Sequence, residues 1–323
     1  MKFCACDNLI HGLNFFGNSV RLCNTIHIGT KLIHEQEIKK LTPTKIIKAR
    51  KELFERLKNG EIPCECQGCP YLEEKYWDLS AKIDTIHVFH WIHCNCGCIY
   101  CANKYYTKGK FSDEVLPAEN YRLYPILKNL YEKNLISKDN LTVHFGGGEL
   151  SVLDEADDLI NLFLDNNVKE MRLMSSCITY SQAVSKAMQK GHPLVFALSC
   201  GTKEVFAKIK RRDLFDRTVA NIRRYQQEAG AFKSNTVSRY IIFDRFNNTK
   251  EEIENWLNLS KDLGVGFIDL SLDFCGSLEN KRGQKIPTEM YALFDFAREK
   301  CKELNLDFNI EQFSSQMLER GVY

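Results

Sequence analysis

The stretch His93-Cys94-Asn95-Cys96-Gly97-Cys98-Ile99-Tyr100-Cys101 follows directly on a short β-branched and aromatic run, TIHVFHW, at 85 to 91. Four thiols within eight residues are hard to explain by packing, because a buried structural cysteine behaves as a lone small apolar residue. Cys94, Cys98 and Cys101 form the spacing C-x3-C-x2-C. A loop of that length can close three thiolates over three irons of a cubane and leave the fourth iron without a protein ligand, able to chelate a small molecule, whereas a structural site is closed by a fourth thiolate. A zinc knuckle built from Cys94, Cys96, Cys98 and Cys101 with His93 is the alternative these residues leave open.

Outward from this loop the chain has the texture of repeated βα units. Strands are expected at 85 to 91, 141 to 146, 170 to 175, 194 to 199, 238 to 243 and 267 to 272. Helices are expected between them at 120 to 134, 155 to 166, 181 to 190, 215 to 230 and 250 to 264. Gly191, Gly230 and Gly264 each follow a periodic run and suit a left-handed C-terminal cap. Parallel strands with crossover helices put loops at the C-terminal strand ends, where barrel-type α/β proteins bind ligands. The cysteine loop falls at such an end, as do Gly146-Gly147-Gly148-Glu149-Leu150 and Leu198-Ser199-Cys200-Gly201-Thr202.

The 323 residues suffice for two ordinary domains or one long α/β barrel with an appendage. Apolar residues at 44% and charged residues at 27% describe a folded chain and exclude one that is mainly disordered or collagen-like. Lys and Arg number 44 against 42 Asp and Glu, so the net charge of +2 provides no electrostatic footprint for nucleic acid or an acidic membrane. No apolar stretch approaches the roughly 18 to 20 residues of a membrane helix, and the N-terminus lacks the apolar core of a signal peptide. A cytoplasmic location is expected, and with it reduced thiols: the 14 cysteines are read as metal ligands or reactive groups rather than a disulfide framework.

The loop, its aromatic Tyr100 before the last cysteine, and the glycine-rich end of the second strand together resemble the radical S-adenosylmethionine (SAM) enzymes. Gly147-Gly148-Glu149 looks like that family's GGE(P) motif, with Leu150 where Pro is usual, and Ser199 with the helical segment after it looks like the fourth-strand region, with Cys200 where an Asp is common. The resemblance spans most of residues 84 to 275 and implies a partial (β/α)6 barrel over 81 to 300. It implies that Cys94, Cys98 and Cys101 hold a 4Fe-4S cluster whose open iron binds SAM through its amino and carboxylate groups. One electron from the reduced cluster would then cleave SAM to methionine and a 5′-deoxyadenosyl radical that abstracts hydrogen from a substrate. Tyr100 would lie against the adenine, Gly147, Gly148 and Glu149 would bind the methionyl end, Ser199 would reach the ribose or carboxylate, and Ser176 is a further cofactor contact.

The first 80 residues contain Cys4, Cys6, Cys23, Cys64, Cys66 and Cys69 around a helical stretch of mixed charge, TPTKIIKARKELFERLKNG. They look like the auxiliary-cluster module that many radical SAM enzymes carry, in its shorter form related to the SPASM and Twitch types, here placed before the barrel. Cys6, a strand-turn-strand with Gly17 leading to Cys23, and Cys66 with Cys69 after the helix would supply four thiolates for a second 4Fe-4S cluster, with Cys4 and Cys64 as alternatives. A structural zinc site is the other reading. So small a module is expected to depend on its metal rather than on a core of its own. Residues 301 to 323 form a C-terminal extension.

The resemblance implies an oxidoreductase or isomerase supplied by an electron donor such as a flavodoxin or ferredoxin. The substrate expected is a peptide or protein side chain undergoing epimerisation, cross-linking or oxidation. Dehydrogenation or epimerisation of a small metabolite or sugar is the alternative, and a non-catalytic iron–sulfur or zinc sensor is the rival from another class. Cys200 and Cys275, at strand ends, are candidates for returning a hydrogen atom to a substrate radical, although a lone cysteine is ordinarily a packing residue. Asp269 and Asp273 are read as substrate contacts or polar strand ends, and Arg239 as a surface residue, with pairing to the methionyl carboxylate of SAM as its alternative.

Overall fold

A computed structural model describes residues 2–23, 30–34, 36–101, 121–243, 245–273 and 283–321. The chain divides into two units: residues 1–93, 110–148 and 153–172 in one, and 94–109, 149–152 and 173–323 in the other.

The first unit begins with β1 (Lys2–Ala5), α1 (Asp7–His11), β2 (Gly12–Phe16), β3 (Ser19–Arg21) and β4 (Lys31–Ile33), followed by α2 (Pro43–Lys58) and β5 (Glu73–Tyr76). The start of α2 is set locally: the Thr42 side chain accepts a hydrogen bond from the Lys45 amide and Pro43 occupies the first turn. Its Ile46, Arg50, Leu53, Phe54 and Leu57 recur at helical spacing and are buried. Leu53, Phe54 and Leu57 pack with Phe3, Ala5, Leu9, Ile10, Leu22 and the thiol-bearing Cys6 and Cys66. Each large apolar side chain buried this way contributes roughly 1.5–3 kcal/mol. The N-terminal segment therefore has an apolar core, contrary to the expectation that metal alone would hold it. Arg50 ties α2 to α1 by donating to the Ile10 carbonyl at 2.8 Å.

The unit continues with β6 (Thr85–Phe89), α3 (Tyr124–Glu132), β7 (Thr142–Phe145), α4 (Ala156–Asp165) and the first half of β8 (Glu170–Ser175). Strands β6, β7 and β8 pair in parallel. The expected strand-turn-strand before Cys23 is present as β2 and β3, antiparallel about Gly17, whose φ of 55° is the left-handed conformation a tight turn requires. β2 also pairs in parallel with β6, so the sheet runs across residue 80. One face of these strands carries Val143 and Phe145, with the Phe145 ring 6.0 Å edge-on to Phe163 of α4. The other face presents Asn14, His87, His144 and Arg172 in one lateral row, each in register with the next.

The second unit contains the end of β8, then α5 (Gln182–Gln189), β9 (Leu194–Ala197), α6 (Lys203–Lys210), α7 (Phe215–Ala229), β10 (Thr236–Ile242), α8 (Lys250–Asp262), β11 (Phe267–Leu272), α9 (Thr288–Leu304), β12 (Asp307–Ile310) and α10 (Gln312–Arg320). Every strand pairing here is parallel. Trp256 of α8 is fully buried on Tyr240, ring centroids 4.7 Å apart, and its indole N–H donates to Ser238 Oγ at 2.8 Å. The six strands expected between residues 85 and 272 are all present as a parallel α/β arrangement. α9 runs through residue 301, and β12 continues the parallel sheet beside β11. The described residues include no helix long and apolar enough to cross a membrane.

Candidate functional site

The cysteine loop leaves β6 and is fastened to the end of α6 by main-chain hydrogen bonds. The Gly97 amide donates to the Lys210 carbonyl and the Ile99 amide to the Ile209 carbonyl, both at 3.0 Å. Ile99, Tyr100 and Ile209 form a small buried cluster beneath it, which leaves Cys94 exposed and Cys98 and Cys101 half-buried above. The Cys96 amide donates to Cys94 Sγ at 3.3 Å, and the Cys101 amide donates to the Cys98 carbonyl at 3.2 Å. Hydrogen bonding by the Cys96 side chain holds the Cys94 thiol below its ordinary pKa, and Cys96 itself is pushed up to about 11 by its bond to Cys94. Cys98 is raised by its own bond to Cys96 and by burial. Among the described residues no three His, Cys, Asp or Glu side chains converge as a ready set of metal ligands.

A group that the sequence reading missed lies beneath the loop. Lys210, the last residue of α6, is 3% exposed. Its ammonium donates to the Tyr100 hydroxyl at 2.7 Å and to the Ala197 carbonyl at 2.5 Å. Burial opposes its charge, but Cys98, the Tyr100 phenol and Cys96 outweigh that and hold its pKa well above the ordinary value. The signal was present in the helical phase: Lys210 lies four residues after the buried Phe206 on the apolar face of α6, within a run of charges that reads as solvated.

Tyr100 and Ser199 were expected to meet the cofactor, and the structure brings them together. Their hydroxyls are 2.9 Å apart, and Ser199 Oγ also accepts from the Ile241 amide at 3.2 Å. Ser199 is fully buried and has a φ of 55°, a left-handed conformation that costs energy for a residue with a Cβ. Glu149 is 2% exposed, and its carboxylate gathers four donors from two segments of the chain. It accepts from the Ser151 amide at 3.1 Å, Ser151 Oγ at 2.9 Å, Ser175 Oγ at 2.7 Å and the Ser176 amide at 2.5 Å. The Ser176 hydroxyl is half-buried and donates to Asn95 Oδ1 of the cysteine loop at 3.3 Å. Gly147 has a φ of 98°, and the Gly148 amide donates to the Trp91 carbonyl at 2.9 Å. A Cβ on Gly148 would lie 2.2 Å from the His93 carbonyl oxygen, so close main-chain packing already requires glycine there.

In the first unit Cys6 and Cys66 are buried, Cys4, Cys23 and Cys69 are half-buried, and Cys64 is exposed. Burial raises the Cys6 thiol, and the charges of Cys23 and Cys66 add to it. Burial likewise raises Cys66, with contributions from Cys23 and Cys69. Cys23 therefore lies within electrostatic reach of Cys6 and Cys66, and Cys66 within reach of Cys6 and Cys69. Thr30 Oγ1 is 3.1 Å from Cys66 Sγ, and the Asn8 side-chain amide donates to Cys23 Sγ at 3.9 Å.

Of the remaining candidates, Cys200 is fully buried and its thiol is pushed up by burial. Cys275 lies outside the described residues. Arg239 is not a free surface residue: its Nε donates to Asp269 Oδ2 at 2.6 Å, and Asp269 Oδ1 accepts from Asn309 at 3.0 Å. The neighbouring β10, β11 and β12 bring those three together, and no local pattern in the sequence announces it.

The thiols in each group are soft sulfur donors of the kind that hold iron–sulfur clusters, and the buried Lys210 lies beneath the loop. No family model and no curated protein matches the sequence. Among solved structures the chain is similar to Streptococcus suis SuiB bound to S-adenosylmethionine, with a TM-score of 0.53 and 14% identity over 83% of this chain and 55% of that one. It is similar also to SuiB bound to the precursor peptide SuiA, with a TM-score of 0.53 and 12% identity over 96% and 73% of the two chains. For SuiB alone the TM-score is 0.51 at 13% identity, over 96% and 71%. The chain shares its fold with SuiB. The chain spans 55% of the length of the SAM-bound SuiB chain.

Proposed function

We propose that the chain is a radical SAM enzyme acting on a side chain of a peptide or protein. Cys94, Cys98 and Cys101 would hold a 4Fe-4S cluster, and Cys6, Cys23, Cys66 and Cys69 an auxiliary one. When bound at the loop, the cluster supplies reductive cleavage of SAM and, through it, hydrogen-atom abstraction from an unactivated C–H bond. The observation that carries this reading is the cysteine loop: three thiols at the C-terminal end of a parallel strand, fixed by main-chain bonds to α6, in a fold shared with a SAM-bound and peptide-bound protein.

The chain's own residues have the following roles. Gly147 and Gly148 bring the main chain close to the strand carrying the loop, Glu149 fixes the segments at 151 and 175 to 176 and would hold the methionyl end of SAM, and Ser176 orders the loop through Asn95. Tyr100 and Ser199 form the floor beneath the loop. The apolar floor of Ile99, Tyr100 and Ile209 limits access of water from beneath the loop. A flavodoxin or ferredoxin would deliver the electron.

Iron and sulfide content after anaerobic purification tests the reading, comparing the native chain with a variant carrying Cys94→Ala, Cys98→Ala and Cys101→Ala. The expected result is a fall from about eight irons per chain to about four. Zinc in place of iron, or iron unchanged by the triple substitution, would overturn it.

A further inference from the structure

Lys210 is a buried cation whose direct hydrogen-bond partners, the Tyr100 hydroxyl and the Ala197 carbonyl, are both neutral. Burying an ammonium without a counter-charge is costly, so such a group implies an anion nearby. Among the described residues no carboxylate pairs with Lys210. Its ammonium bonds to Tyr100, which lies in the chain between Cys98 and Cys101, and Cys98 packs against the same cluster of Ile99, Tyr100 and Ile209. The same helix end fixes the loop, through the Lys210 and Ile209 carbonyls, so the ammonium and the thiols are held in one rigid turn.

We propose that Lys210 is the fixed counter-charge of the cluster held by Cys94, Cys98 and Cys101, and that it raises the cluster's reduction potential. This rests on the radical SAM reading given above. Reduction adds one negative charge to a cluster already bound by thiolates, and a desolvated ammonium beside one ligand stabilises the more negative state more than the oxidised one. Lys210 touches neither SAM nor substrate in this role; it acts through Cys98 as a positioning and tuning residue.

The test is an EPR-monitored redox titration of anaerobically purified native chain, Lys210→Gln and Lys210→Arg, each in a background with Cys6→Ser, Cys23→Ser, Cys66→Ser and Cys69→Ser so that one cluster is observed, with iron measured on every sample. The Gln variant is expected to retain about four irons and to have a more negative midpoint potential, while the Arg variant remains near the native value. Full iron with an unmoved potential in Lys210→Gln overturns the counter-charge role alone. Loss of iron from both variants with native circular dichroism also overturns it, because the residue would then serve loop packing. A Lys210-intact chain that binds no iron at this loop overturns the radical SAM reading and this inference together.

Discussion

The imidazoles of His87 and His144 lie face to face across β6 and β7, their centroids 4.6 Å apart and their planes 9° from parallel. Burial, together with the charge of the neighbouring ring, lowers the pKa of His87 to about 3, and burial with the Arg172 charge lowers that of His144 to about 4. Both rings are therefore neutral in the folded protein, whereas in the unfolded chain they bind protons below about pH 6.5. The stability this contributes is complete above pH 6.5 and is lost progressively as the pH falls toward the folded values. Between pH 6.5 and 5 the free energy of unfolding should decline by on the order of 1–3 kcal/mol from these rings, before carboxylates titrate. His87→Phe should flatten that slope in urea titrations. An equal slope in both proteins would falsify the attribution.

Gly148 separates packing from ligand binding. A methyl group there meets the His93 carbonyl oxygen at 2.2 Å, with the Ile92 carbonyl carbon at 2.7 Å, so Gly148→Ala should lower stability by about 1–3 kcal/mol even without SAM. Thermal unfolding of the metal-free proteins decides this. A variant as stable as the native chain that has lost only SAM affinity would show that the glycine is required by the ligand instead.

Glu149→Gln should weaken both the fold and the cofactor site. The carboxylate accepts from Ser151, Ser175 and Ser176, and a glutamine offers one acceptor oxygen and turns an amide N–H₂ toward donors. A loss of about 1–3 kcal/mol is expected, with a fall in SAM binding by equilibrium dialysis. Ser151→Ala, which removes one donor while the Ser151 amide still bonds, should cost less.

The N-terminal thiols divide into two groups. Cys6→Ser, Cys23→Ser, Cys66→Ser or Cys69→Ser should each reduce iron by up to about four per chain, whereas Cys4→Ser and Cys64→Ser should leave it unchanged. Because this segment also packs an apolar core around Leu9, Leu53 and Phe54, removing its metal should leave much of the helical signal intact. Complete unfolding on chelation would contradict that.

Much of the sheet was legible because its strands are short apolar runs closed by turn residues and separated by amphipathic helices; strands β8 and β11 fall at the expected residues. The cysteine loop was legible because thiols at short spacing have few other uses. Pairings between distant segments were not. β2 joins β6 across some seventy residues of sequence, and no period in either strand encodes that partner. Lys210 was hidden for a different reason: charge patterning assumes that a lysine in a cationic run is solvated, and only the positions of Tyr100 and Ala197 show it turned inward. The Arg239–Asp269 pair likewise depends on the parallel register of β10 and β11.

The two main-chain bonds from Gly97 and Ile99 to the end of α6 make the loop and the helix a single heritable part. Adding or deleting one residue within Lys203–Lys210 would rotate the helix end by about 100° and carry the anchoring carbonyls away from the thiols. Insertions should therefore accumulate elsewhere in related chains. A graft of the nine-residue loop onto another scaffold should fail unless the helix, encoded about one hundred residues downstream, travels with it.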